Sequence, residues 1–132
     1  MTSVIRQTVT LKASPEALFD SFLDSRKHTA LTGGMPAKVS RRPGGSFTAF
    51  GGQIRGRNLL IHPKRMIVQA WRSDHWKASD PDSVLILCFS KARGGGRIDL
   101  THVNVPAHDR KGVTEGWPAY YWKPWKAHLA KR

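Results

Sequence analysis

The sequence predicts an α+β domain: a curved antiparallel sheet of about six to seven strands wrapped around a long C-terminal helix, with two short helices after the first strand. Three observations predict it. The chain opens on an alternating apolar and polar segment followed by a capped, amphipathic one. Its middle is a succession of strand-like runs separated by glycine and proline turns. Between Gly116 and Trp125 it places Trp117, Tyr120, Tyr121, Trp122 and Trp125 in one short helical stretch, which is too bulky and apolar to stand in water. That stretch has to rest on the strands before it.

Taken in order, Ile5, Gln7, Val9 and Leu11 share one side of a strand over 4–12, with Arg6, Thr8, Thr10 and Lys12 on the other. Ser14 is a helix N-cap, Pro15 suits the first helical position and Glu16 the first turn. Leu18, Phe19, Phe22 and Leu23 follow at helical spacing. A second short helix over 26–31 ends at Gly33-Gly34. Strands are predicted over 46–50, 53–62, 65–72, 83–91 and 97–105. The breaks fall at Gly51-Gly52, His62-Pro63-Lys64, Asp80-Pro81-Asp82 and Gly94-Gly95-Gly96. Pro106 ends the last strand, and the rest is helical, with Trp117, Tyr121 and Trp125 on one face, Tyr120 and Leu129 beside it, and a kink expected at Pro124. No repeat, linker or domain boundary interrupts residues 1–132, so one domain is expected.

Composition narrows the partners. The net charge is +13, from 22 Lys and Arg against 9 Asp and Glu. This favours acidic surfaces, whether protein, nucleic acid or anionic lipid. The cations are scattered as Arg41-Arg42, Lys64-Arg65, Arg110-Lys111 and Lys131-Arg132, so a solvated basic surface is an equal reading. No apolar run approaches the ~20 residues of a membrane helix, and the first residues lack a signal-peptide core. A cytoplasmic location is expected. The one cysteine, Cys88, sits in the apolar run Val84 to Phe89 and reads as a small buried hydrophobe. That run is apolar on both faces. Either a second subunit covers the outer one or it stays exposed, so monomer and homodimer are both open.

With the residues placed, the pattern resembles the START-like (SRPBCC, Bet v-like) superfamily, the helix-grip fold. Within it the chain is most similar to the C-terminal domain of the activator of heat shock protein 90 ATPase. The resemblance rests on Ser14-Pro15-Glu16, Gly44-Gly45-Ser46-Phe47, Gly52-Gln53-Ile54-Arg55-Gly56, Ile67 to Arg72, Trp76, Val105-Pro106, Gly116-Trp117 and Tyr120-Tyr121, in that order over nearly the whole chain. His102 matches the bacterial stand-alone branch. The resemblance implies the helix-grip fold and a chaperone-associated role in stress response.

Strand alternation suggests what faces the helix. Ile67, Gln69 and Trp71 share a face, as do Ile54, Gly56 and Asn58, and Ile98, Leu100 and His102. Turned inward together with Phe47, Trp76, Leu85, Leu87, Trp117, Tyr121 and Trp125, they would line an apolar cavity in which Asn58, Gln69 and His102 are the polar groups. Gly56 would leave room opposite the helix. The competing reading is a filled core with those polar groups satisfied internally.

Catalytic and metal chemistry find no support. The six histidines (His28, His62, His75, His102, His108, His128) form no HxH, HxxxH or HExxH spacing. There is no GxSxG or CxxC, and the glycine clusters lie in hairpin turns rather than opening a helix as a phosphate cradle must. No catalytic residue, metal or cofactor is expected; the superfamily resemblance leaves open one alternative, a cyclase- or dehydratase-type role with His102 as a base in the cavity. The expected function is a non-catalytic binder whose cavity accepts a small hydrophobic or aromatic ligand. The alternatives are association with an acidic protein such as a heat-shock chaperone, and charge-driven association with nucleic acid.

Overall fold

The computed structural model describes residues 3–131. Met1, Thr2 and Arg132, the last grouped above with Lys131 as a basic pair, lie outside them. β1 (Ser3–Leu11) leads into α1 (Pro15–Phe22) and α2 (Ser25–Leu31). The Ser14 hydroxyl accepts from the Ala17 N–H at 3.1 Å and Asp24 Oδ1 from the Lys27 N–H at 2.9 Å, so each helix starts at a side chain that takes an otherwise orphaned donor. β2 (Lys38–Val39), β3 (Ser46–Ala49), β4 (Ile54–His62), β5 (Met66–Ser73), β6 (Ser83–Ala92) and β7 (Gly95–Val105) complete one antiparallel sheet of order β1-β7-β6-β5-β4-β3-β2. The first strand therefore pairs with the last. β2, at two residues, is too short to show any periodicity.

The faces divide as alternation requires. Ile67, Gln69, Trp71, Leu85, Leu87, Ile98, Leu100 and His102 are buried on the concave side. On the convex side the strand registers align side chains in rows. Ser46, Arg57, Ala70, Val84, Val103 and Val4 form one row. Lys38, Thr48, Arg55 and Arg72 form the next. Cys88 lies on this side, half-buried rather than in the core. Burial, then the nearby Asp99 charge, pushes its thiol pKa up, which disfavours the reactive thiolate.

The C-terminal helix is not uniform. α3 (Arg110–Gly116) passes into one π-helical stretch, Trp117–Trp122, and then into α4 (Lys123–Ala130). The Lys123 N–H bonds the Pro118 carbonyl, five residues back. The disturbance lies one turn before the expected site at Pro124. Two prolines bracket the stretch, and each removes an N–H from the α-helical ladder. The wider turn has a packing consequence. In an α-helix Trp117 and Trp122 would diverge, whereas here their rings stack at 5.5 Å, and Trp117 also meets Tyr121 at 4.8 Å. All three are buried, while Tyr120 is 62% exposed.

Pro118 has no N–H to give the Thr114 carbonyl. Gln7 on β1 supplies one: its Nε2 donates to Thr114 O at 2.8 Å and its Oε1 accepts from Trp122 Nε1 at 2.8 Å. A strand residue thus completes the hydrogen bonding of the helix above it. Gln7→Ala removes both partners at once. Each part-buried group left unpaired costs about 1–3 kcal/mol, so a loss of ~2–4 kcal/mol is expected in urea unfolding. Indistinguishable unfolding midpoints for wild type and Gln7→Ala would refute this role.

Candidate functional site

The helix does not seal the concave face evenly. At its N-terminal end a cleft of about 530 Å³ opens between α3 and the π stretch on one side and the start of β4 and end of β5 on the other. Trp71, Trp117, Tyr121, Ile54, Val113 and Phe50 supply apolar wall, with Tyr120, Met35 and Pro124 at the helix and α2-loop edges. Gly112 and Gly116, one helical turn apart, present their faces to it. Phe50 holds φ +54°, a conformation uncommon outside glycine, and its ring meets Tyr121 edge-on at 5.4 Å. A bulky residue in that region is held there by its surroundings.

A polar chain forms one end of the cleft. The Ser73 hydroxyl lies 2.7 Å from His75 Nδ1, and His75 Nε2 lies 3.2 Å from Asp109 Oδ2. The same Asp109 oxygen accepts from the indole Nε1–H of Trp76 at 2.7 Å. Asp109 Oδ1 accepts from no protein group among the described residues. Ser73 is buried at the end of its strand, and its hydroxyl is engaged with His75.

Of the residues the sequence put on a cavity wall, the structure brings Ile54, Trp71, Trp117 and Tyr121 to the cleft. The others are packed elsewhere. Ile67, Leu85, Leu87, Ile98, Leu100 and Trp125 are fully buried in the core beneath the helix, with Phe47 beside them. Trp76 lies behind the wall, where it orients Asp109. Gly56 leaves no room: a Cβ there would fall on the Ala70 carbonyl oxygen and 2.8 Å from the Phe47 ring. Chain and ring already fill the space that the missing side chain vacates.

The three inward polar residues also have structural partners. Asn58 Nδ2 donates to the carbonyls of Ser40 and Arg42, anchoring the loop before β3, and its Oδ1 accepts from Gln69 Nε2 at 3.0 Å. Gln69 Oε1 is left unpaired. His102 Nδ1 accepts from Trp117 Nε1–H at 3.2 Å. Its Nε2–H therefore donates to Ser83 Oγ at 2.8 Å, and Ser83 donates to the Trp71 carbonyl at 2.7 Å. One continuous donor-to-acceptor chain fixes the tautomer. Desolvation lowers the His102 pKa to about 3, so the ring is a neutral strut rather than a base poised for catalysis. His28 is a second strut: Nδ1–H donates to the Phe22 carbonyl and Nε2 accepts from the Tyr121 hydroxyl, each within 2.8 Å.

Sequence reasoning missed Ser73, His75 and Asp109 because they come from a strand end, a loop and a helix start with no shared spacing. Gly112 and Gly116 did carry a signal: four residues apart, they share a helix face with Tyr120. Among the described residues no three His, Cys, Asp or Glu side chains converge as a metal site would need, and no helix is long and apolar enough to cross a membrane.

Known proteins share this architecture. The sequence model of the family described as "Activator of Hsp90 ATPase homolog 1-like protein" matches residues 12–130. The activator of 90 kDa heat shock protein ATPase homolog of Dictyostelium discoideum is 26% identical over 116 residues, covering 88% of this chain and 30% of that protein. The human homolog 1 is 26% identical over 114 residues, covering 86% and 33%. The chain thus spans about a third of the length of these curated relatives. The crystal structure of an HSP90 activator from Plasmodium falciparum superimposes with a TM-score of 0.83 at 27% identity, over 98% of this chain and 96% of that one.

Proposed function

Because the chain belongs to the Activator of Hsp90 ATPase homolog 1-like family, we propose that it is a non-catalytic binding domain that docks on an Hsp90-type chaperone and stimulates its ATPase. The observation that carries this is the Plasmodium falciparum activator, whose crystallised chain is matched over 96% of its length by this one domain. The convex sheet face supports it. Lys38, Arg55 and Arg57 stand exposed at the β2–β4 end, beside the row Ala70, Val84, Val103 and Val4. A basic edge beside a partly apolar face complements an acidic protein surface, where charge sets encounter and selectivity and apolar area holds the complex.

The test adds the protein to an Hsp90-type chaperone and follows ATP hydrolysis at low and at physiological salt. Stimulation is expected, and the double substitution Arg55→Glu, Arg57→Glu should weaken it about tenfold or more while leaving the fold intact, since both side chains are exposed. Absence of both binding and stimulation at low salt would end the proposal.

The cleft supports a second reading, a site for a small apolar or aromatic molecule. Its volume of about 530 Å³ suits such a ligand, and its aromatic walls and few convergent polar groups are the usual features of such sites.

A further inference from the structure

We propose that the cleft discriminates by charge, and that its occupant is a small amphipathic organic cation: an apolar or aromatic body carrying an ammonium head. This rests on the reading of the cleft as a ligand site. The chain carries 22 Lys and Arg against 9 Asp and Glu, yet among the described residues neither Lys nor Arg lines the cleft, and Asp109 is its one carboxylate. Chance placement on so basic a surface would favour the opposite.

The carboxylate is also held ready. Trp76 Nε1–H and His75 both engage Oδ2, which orients the group and leaves Oδ1 to accept from a ligand. Gly112 allows the approach, since a Cβ there would come within 2.5 Å of Oδ1. The same cleft is lined by the rings of Trp71, Trp117, Tyr120 and Tyr121; aromatic faces attract a cation and their area buries an apolar body. A fatty acid or other anionic amphiphile would bring its head against Asp109 with no cation in the wall to receive it. The field of the whole chain opposes a cation. That field is screened beyond about 8 Å at physiological salt, whereas a head group at Asp109 is in contact.

The experiment titrates the protein with phenylbutylamine, phenylbutanol and phenylbutanoate at physiological salt, following tryptophan emission and heat. The three probes share one body and differ in the charge of the head. The ammonium should bind about tenfold tighter than the alcohol, the scale of a single contact charge in a half-open site, and the carboxylate weakest. Asp109→Asn keeps an acceptor for Trp76 and removes the charge. It should bring the ammonium close to the level of the alcohol and move the alcohol far less than the ammonium. The order among the three probes on the unaltered protein tests the idea even if that variant folds poorly. If the alcohol binds as tightly as the ammonium, or the carboxylate binds best, charge selection is wrong while the ligand site stands. If none of the three binds, the ligand site falls and this inference with it.

Discussion

Gly56→Ala is expected to remove a large share of the protein's stability. The added methyl would coincide with the Ala70 carbonyl oxygen and press on the Phe47 ring. Neither can give way cheaply. Ala70 belongs to β5, paired on one side with β4 and on the other with β6, where it faces Val84 across the register and is followed by Trp71, whose carbonyl takes the Ser83 hydroxyl. Phe47 is buried against the core. Moving the strand breaks ladders on both sides. Overpacking against backbone belongs with the changes that exceed ~4 kcal/mol, and a domain of this size has on the order of 5–15 kcal/mol in all. Gly112→Ala is the control: its Cβ meets only the end of the Asp109 side chain and no backbone, so the cost is limited to loosening one carboxylate. Urea unfolding of both variants decides the matter. A Gly56→Ala domain within about 1 kcal/mol of wild type, no more than the bottom of the ordinary overpacking range, would show that the sheet is softer here than its pairing implies.

Acid should destabilise the domain earlier than carboxylate titration alone would. His102 and His28 are neutral struts with folded-state pKa values of about 3 and about 4, lowered first by desolvation, for His28 against the raising effect of its Phe22 bond. In the unfolded chain each returns to the ordinary value near 6.5. Between those limits the unfolded state binds the extra protons. The stabilisation is therefore complete above about pH 6.5 and is lost as pH falls towards the folded values, on the order of 1 kcal/mol per pH unit for each ring. Protonation also reverses the bonding, because Nδ1 of His102 can no longer accept from Trp117, nor Nε2 of His28 from Tyr121. Unfolding free energies from about pH 8 down to 5 should decline with a slope approaching two protons. His28→Asn, which keeps a donor for Phe22, should be less stable throughout but lose one proton from that slope. A flat profile over this interval would show that neither ring stays neutral by burial.

Elements with a strong local period were legible before any coordinates. β1, α1, the β4–β7 meander and the inward sets Ile67-Gln69-Trp71 and Ile98-Leu100-His102 follow from alternation and helix caps, which are local rules. β2 was not, because two residues carry no period and exist as a strand only by pairing with Thr48 and Phe47. The second helix begins at Ser25, one residue before the expected start, because Asp24 caps it.

The cleft was harder to foresee than the fold. Turning apolar residues inward says which face they occupy, not whether the space there is full. Most of the inward set packs solid under Trp125, and the opening lies instead at the other end of the helix. The π turn between Pro118 and Pro124 rotates Trp122 inward alongside Tyr121, and the Asp109 carboxylate meets His75 and Trp76 across it. Periodicity and capping act within a few residues and are written in the chain. The widened helical turn, the collision that Gly56 avoids and the Ser73–His75–Asp109 row arise between segments far apart in sequence, where only packing sets the distances.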